Sequence, residues 1–194
     1  MTTPISDPVL HLLAGPNGAG KSTFNARVLS PVTHLPFINA DEIAHDRWPG
    51  DESAHAYEAS RVAADLRAEF LSARSSFVTE TVFSHESKVE LVQFAVSAGY
   101  LVTLHVIAIP VETAVARVRN RVDQGGHSVP EAKIRERYDR LWPLLRSAIE
   151  MVDRAQVYDN SSARQPFRTI ARFDRGNLVG QAEWPTWMPP ALRS

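Results

Sequence analysis

The sequence predicts an α/β fold: a parallel sheet flanked by helices, with a phosphate-cradling loop and a helical lid. Three observations predict it. Short apolar runs alternate with helical patterns along most of the chain, the signature of strands joined by crossover helices. Gly15-Pro16-Asn17-Gly18-Ala19-Gly20-Lys21-Ser22 reads as Gly, four residues, then Gly-Lys-Ser, the pattern of a phosphate-cradling loop. That loop follows the apolar run Val9–Ala14 and precedes the helix-compatible Thr23–Leu29, the strand–loop–helix context the pattern requires.

The elements follow in order. Val9–Ala14 predicts a buried strand and Phe37–Asn39 a short second one. Ser53–Arg74 predicts a helix with Tyr57, Val62, Leu66 and Phe70 near one face. Phe77–Thr81 predicts a strand, and His85–Ala98 a helix closed by Gly99 in the left-handed cap position. Tyr100–Ile109 is strongly apolar and predicts the central strand. Pro110 opens a helix to about Asp123. Gln124–Val129 predicts a loop around Gly125-Gly126, and Pro130 starts a helix with Ile134, Tyr138, Leu141, Leu145 and Ala148 at helical spacing. Pro143 predicts a kink in it. Gln156–Tyr158 predicts a last core strand, and Arg168–Val179 a hairpin around Arg175-Gly176-Asn177. The tail, residues 180–194, is Pro- and Trp-rich near its end and predicts irregular structure.

Composition bounds the class of protein. The 194 residues predict a single domain spanning 1–194, and 44% hydrophobic content provides for a core. A net charge of −1 argues against a broad nucleic-acid-binding surface. The absence of cysteine excludes disulfides and thiolate chemistry. No segment approaches the roughly 18 apolar residues of a membrane span, and none reads as a signal peptide. The expected location is the cytoplasm, with no nucleic acid and no membrane as partners.

The loop itself predicts nucleoside triphosphate binding, by Gly15, Pro16, Asn17, Gly18, Ala19, Gly20, Lys21, Ser22 and Thr23. Glycines let successive backbone N–H groups turn inward as an anion nest, and the next helix adds its positive end. Lys21 is placed to meet the β- and γ-phosphates, and the Ser22 hydroxyl to ligate Mg²⁺.

Beyond the loop, Asp41 follows the second strand in F-I-N-A-D-E-I, at the carboxyl edge where open α/β sheets bind substrates. A carboxylate there can accept a proton from an attacking hydroxyl; equally, it can cap the helix from Glu42 onward. Asn39 and Glu42 are weaker candidates. Glu80 ends the third strand in F-V-T-E-T, a position for Mg²⁺ coordination or for gripping a hydroxylated acceptor, with Thr81 beside it. Between residues 117 and 140, Arg117, Arg119, Arg121, Lys133, Arg135, Arg137 and Arg140 stand against Asp123, Glu131, Glu136 and Asp139. A basic helix–loop–helix with a Gly-Gly hinge reads as a phosphate-closing lid, and guanidinium groups suit a transferring phosphoryl group. Solvated helix faces explain most of these arginines. Arg121, just before the hinge, is the best functional candidate. His127, in the loop, is a candidate contact to substrate or phosphate.

With these residues assembled, the chain resembles the zeta toxin family of P-loop kinases, the toxins of toxin–antitoxin systems, and especially its shorter zeta-like ATPase branch. The matching blocks are G-P-N-G-A-G-K-S-T, F-I-N-A-D-E-I-A, F-V-T-E-T-V-F-S, A-R-V-R-N-R-V-D-Q-G-G-H-S-V-P-E and V-Y-D-N-S, in family order from about residue 9 to 161. The resemblance implies ATP- and Mg²⁺-dependent phosphorylation of a hydroxyl on a small acceptor, in zeta toxins the UDP-sugar UDP-N-acetylglucosamine, with an antitoxin protein as partner. By position it implies Lys21 as the P-loop lysine, Asp41 as the acid that deprotonates the acceptor hydroxyl, Glu80 as the acceptor-gripping acid and Arg121 as the arginine of the helix after the central strand. At two points the chain departs from the family. The second lid arginine falls on His127, with Arg135 or Arg137 as substitutes, and the strand-three block reads E-T-V-F rather than an E-G-T-like run. The alternatives to a zeta-type kinase are a small-molecule or nucleoside kinase without toxin action and a non-catalytic ATP-binding regulatory protein.

Overall fold

A computed structural model describes residues 7–123 and 129–193. Its centre is a seven-stranded sheet in the order β2-β3-β1-β4-β5-β6-β7. The strands are β1 (Val9–Ala14), β2 (Phe37–Ile38), β3 (Phe77–Thr81), β4 (Leu101–Ala108), β5 (Arg154–Asp159), β6 (Arg168–Asp174) and β7 (Asn177–Leu178). β1 to β5 pair in parallel, with β1 in register between β3 and β4 (Leu13 beside Glu80 and His105). β6 and β7 add antiparallel. The expected parallel sheet is therefore a mostly parallel one with an antiparallel edge, because the predicted hairpin joins it. Its two-residue turn, Arg175-Gly176, has φ of 46° and 76°, the primed turn that matches strand twist.

β4 is central, as its unbroken apolar run predicts: Val102 and Leu104 through Ile109 are buried, with His105 the one polar exception. One sheet face is covered by α4 (Ala56–Ser72), α5 (Ser87–Ser97), α7 (Glu131–Met151) and the C-terminal tail. The other is covered by the helical run Lys21–Thr33 and by α6 (Val111–Asp123). That run is α1 (Lys21–Phe24), a π-helical stretch Asn25–Leu29 and α2 (Ser30–Thr33), so the expected plain helix contains a wider turn. α3 (Ala40–Arg47) follows β2 and packs against α4.

Several boundaries move for local reasons. Asn39, expected in the second strand, instead caps α3 through its side chain. The helix expected from Ser53 starts at Ala56. His55 stacks on Trp48 (4.7 Å between rings, 6° apart) and its Nδ1 lies 3.0 Å from the Asp51 carbonyl, holding residues 51–55 in a turn. The helix expected from His85 starts at Ser87. Its end follows expectation: Gly99 has φ 76°, and the N–H groups of Gly99 and Tyr100 bond the carbonyls of Val96 and Ala95, the paired closure of a glycine-capped helix. The last parallel strand is longer than Gln156–Tyr158. The tail is irregular apart from one 3₁₀ turn (Pro190–Leu192), yet it is not a loose end: Met188 and Leu192 are buried against the core. Pro143 lies inside α7, which is one continuous helix. Among the described residues, no helix is long and apolar enough to cross a membrane.

Candidate functional site

The loop between β1 and α1 is shaped by glycine. Gly15 has φ 150°, and a β-carbon there would sit 2.2 Å from the Ile107 carbonyl oxygen of β4. Only glycine lets the loop cross the central strand so closely. Gly20 has φ 91°, and a β-carbon would fall 2.8 Å from Asn160 Nδ2. Two side chains that sequence reasoning passed over brace the loop from outside. Asn160, just past β5, donates to the Ala19 carbonyl at 2.8 Å and accepts from the Phe167 N–H at 3.4 Å. Arg117 on α6 donates to the Gly18 carbonyl at 3.3 Å and to the Asn160 carbonyl at 2.9 Å. The signal for Asn160 was its place in V-Y-D-N-S at the end of a core strand. Arg117 carried none that set it apart from its arginine neighbours.

Lys21 is buried, and its Nζ donates to the Gly15 and Pro16 carbonyls at 3.2 Å each. Burial holds its ammonium below the ordinary lysine value, the carboxylates of Glu80 and Asp41 push it back up, and Arg121 opposes them. Ser22 and Thr23 are exposed at the mouth of the loop. Ser22 Oγ donates to Glu80 Oε2 at 2.7 Å and accepts from Asn39 Nδ2 at 3.4 Å. Loss of water pushes the Glu80 carboxyl above the usual range; Lys21 and the Ser22 bond pull it down. The oxygens of Ser22 and Glu80 are hard donors of the kind Mg²⁺ takes, so these two side chains fit the ion.

Asp41 lies in the first turn of α3, and Asn39, not Asp41, caps that helix: Asn39 Oδ1 accepts the Asp41 N–H at 2.8 Å. The Asp41 carboxylate is left exposed at the sheet edge, where Arg121 Nη1 lies 3.7 Å from its Oδ2. Glu42 is pushed up by burial and by Glu80, Asp46 and Asp41. Lys21, Asp41, Glu80 and Arg121 thus form one charge cluster. Thr81 is adjacent, and its hydroxyl accepts the Phe83 N–H at 3.1 Å.

The basic segment is mostly ion-paired. Arg135 grips Glu112 with two bonds of 2.7 and 2.8 Å and also reaches Glu131, which bonds Arg119 as well. These pairs tie α6 to the start of α7, and Arg135 is committed to them. Arg140 pairs with Glu136. His127 and the Gly125-Gly126 hinge lie outside the described residues.

A glycine cradle at the carboxyl edge of a mostly parallel sheet, closed by a lysine, a serine and strand-end acids, defines a P-loop nucleotide-binding protein of kinase-like fold. Residues 10–144 match the AAA domain family, and the chain belongs to it. An uncharacterized protein of Haemophilus influenzae is 32% identical over 125 residues, covering 64% of this chain and 88% of that protein. The chain's fold is similar to a chain of the AvrRxo1-ORF1:ORF2 complex, solved with sulphate ions and with ATP. The TM-scores are 0.69 and 0.68, at 16% and 17% identity over 89% of this chain. This chain spans 60% of the length of that one. It is also similar to the PezAT chromosomal toxin–antitoxin system of Streptococcus pneumoniae, with TM-score 0.59 and 16% identity over 87% of this chain and 74% of that one.

Proposed function

We propose that the protein is an ATP-dependent phosphotransferase that moves the γ-phosphoryl group to a hydroxyl of a small acceptor. One observation carries the reading: the Asp41 carboxylate and the Arg121 guanidinium stand 3.7 Å apart in the charge cluster that contains the P-loop lysine. A base for the acceptor and a cation for the transferring group therefore face one point. In this reading the Asp41 carboxylate takes the hydroxyl proton as the acceptor oxygen bonds to phosphorus. The bond from the γ-phosphorus to the β-bridging oxygen breaks, and ADP leaves. Lys21 releases its two loop carbonyls and turns to the phosphates, and Arg121 turns from Asp41 to the equatorial oxygens. Ser22 and Glu80 would hold Mg²⁺, which when bound neutralises phosphate charge.

The motif blocks support UDP-N-acetylglucosamine as the acceptor, and the fold shared with PezAT supports an antitoxin as partner. A substrate of this kind supports a cytoplasmic location. Incubating the purified protein with ATP, Mg²⁺ and a panel of UDP-sugars and nucleosides tests both levels. Gain of one phosphoryl group on UDP-N-acetylglucosamine is expected. Gain only on another acceptor overturns the choice of substrate, and no acceptor-dependent ADP release overturns the phosphotransferase reading.

A further inference from the structure

The buried stripe of α4 is Ala59, Ala63, Arg67 and Leu71. A guanidinium at a core position ordinarily has an acid or several carbonyls to meet it. Arg67 is only 9% exposed, and it makes no hydrogen bond or ion pair among the described residues. Lys88, half-buried in the first turn of α5, has none either. The two cations feel each other: burial lowers both, and Arg67 lowers Lys88 further.

Their place in the fold gives this pair a direction. α4 ends at Ser72, just before β3 begins at Phe77, so α4 starts at the opposite, carboxyl edge, where it packs on α3. Side chains on a helix lean toward its N-terminus. Arg67 therefore leans along the lane left by the small Ala63 and Ala59, toward the edge that holds Asp41 and Glu80. Lys88 stands at that edge too, because α5 begins soon after β3 ends at Thr81.

We propose that Arg67 and Lys88 form an oxyanion subsite of the acceptor pocket, taking a phosphate or carboxylate group of the molecule whose hydroxyl faces Asp41. This rests on the phosphotransferase reading and deepens it: Arg67 and Lys88 are the residues that take the anionic part of the acceptor, whichever acceptor that is. Two unpaired cations at one end and a base at the other hold an acceptor by both ends, which orients its hydroxyl. The guanidinium fork suits either oxyanion.

The test uses thermal unfolding of the full chain saturated with Mg²⁺ and a non-hydrolysable ATP analogue, so that the P-loop is occupied. Inorganic phosphate and acetate are titrated separately at constant ionic strength, and whichever raises the Tm identifies the group. Arg67→Met, which keeps the apolar stem, is expected to weaken that anion at least tenfold, as is Lys88→Met; Arg67→Lys is expected to restore part of it. Without ligand, Arg67→Met is expected to unfold within a few degrees of wild type, because Met keeps the apolar stem and no hydrogen bond or ion pair among the described residues is lost. The proposal is overturned if neither anion stabilises the wild-type chain, if both Met variants keep the response, or if unliganded Arg67→Met unfolds at a much lower temperature. Failure of the ATP analogue itself to stabilise the protein would count against the phosphotransferase reading, separately from the anion response.

Discussion

Asn39 Oδ1 accepts the backbone N–H of Asp41 at 2.8 Å. Two residues that both suit a helix N-cap are thereby given different work. Asn39 satisfies the first turn of α3, and its amide also reaches Ser22 Oγ at 3.4 Å. Asp41, relieved of capping, presents its carboxylate to Arg121.

Asp41→Asn is therefore expected to leave stability within a few tenths of a kcal/mol and to cut phosphoryl transfer by roughly 10²–10⁴, the usual worth of a positioned base. Asn39→Ala is expected to lose about 1 kcal/mol of stability, as a removed cap does. Urea unfolding and initial rates of the two variants check the division. Near-normal turnover of Asp41→Asn would leave that carboxylate without a chemical role.

Arg121 and Arg119 lie on the same helix, about 200° apart around its axis. Arg121 faces Asp41 and the loop, whereas Arg119 pairs with Glu131 on the exposed surface. Arg121→Ala is expected to lower kcat on the order of 10³ with little change in ATP affinity, because its charge is used mainly in the transition state. Arg119→Ala removes an exposed pair and is expected to stay within about 1 kcal/mol in stability and near wild type in rate. Equal rate losses would mean a diffuse basic surface rather than a positioned charge.

Arg117 spans two carbonyls, Gly18 on the loop and Asn160 beyond β5. A lysine has no planar fork with which to hold both. Arg117→Lys and Arg117→Met are both expected to weaken nucleotide binding and to cost about 1–3 kcal/mol, since partly buried carbonyls lose their donors. Calorimetric titration with ADP and chemical denaturation measure the two effects. A lysine variant indistinguishable from wild type in both would show that the brace is dispensable.

What the sequence made legible is what short-range patterns encode. The P-loop, the central strand, the Gly99 cap and the Arg175-Gly176 turn each depend on neighbours a few residues apart. From the sequence, Asp41 at the carboxyl edge and Arg121 in a closing lid are also expected to meet over the P-loop, and in the structure they approach to 3.7 Å. What stayed hidden depends on separation in the chain: Arg117 meets Gly18 across 99 positions and Asn160 meets Ala19 across 141. No local pattern tells one arginine of a basic helix that it faces a carbonyl rather than solvent. The capping role considered for Asp41 falls to Asn39, which the strand pattern absorbs; both residues suit a cap and they lie only two apart.

His105 interrupts the apolar run of β4, and the reason lies in a chain of hydrogen bonds on the face that carries α1. His105 Nε2 lies 3.1 Å from His11 Nδ1, its Nδ1 lies 3.2 Å from Tyr158 Oη, and Tyr158 donates in turn to Gln156 Oε1. Tyr158, pushed up to about 12 by burial, keeps its proton. The chain closes when His11 donates to a neutral His105 and His105 donates to Tyr158; a proton on His105 Nε2 would set it against the His11 donor. Burial, and then His11, hold His105 down to about 3 from 6.5. Burial lowers His11 too, although it borders an open groove of about 770 Å³ at the other end of the strands from the P-loop. Below pH 6.5 the unfolded chain takes up a proton on this imidazole, while the folded protein does not until about pH 3. The stabilisation is thus complete above pH 6.5 and is lost as pH falls through that window, at about 1.4 kcal/mol per unit. Between pH 6.5 and 5 the His105 share is about 2 kcal/mol. His105→Gln keeps a hydrogen-bonding side chain without the titration, so it is expected to be less stable at pH 7 but to lose about 2 kcal/mol less on acidification. Urea unfolding of both proteins at several pH values measures the slopes, and parallel slopes would mean that His105 titrates normally in the folded protein.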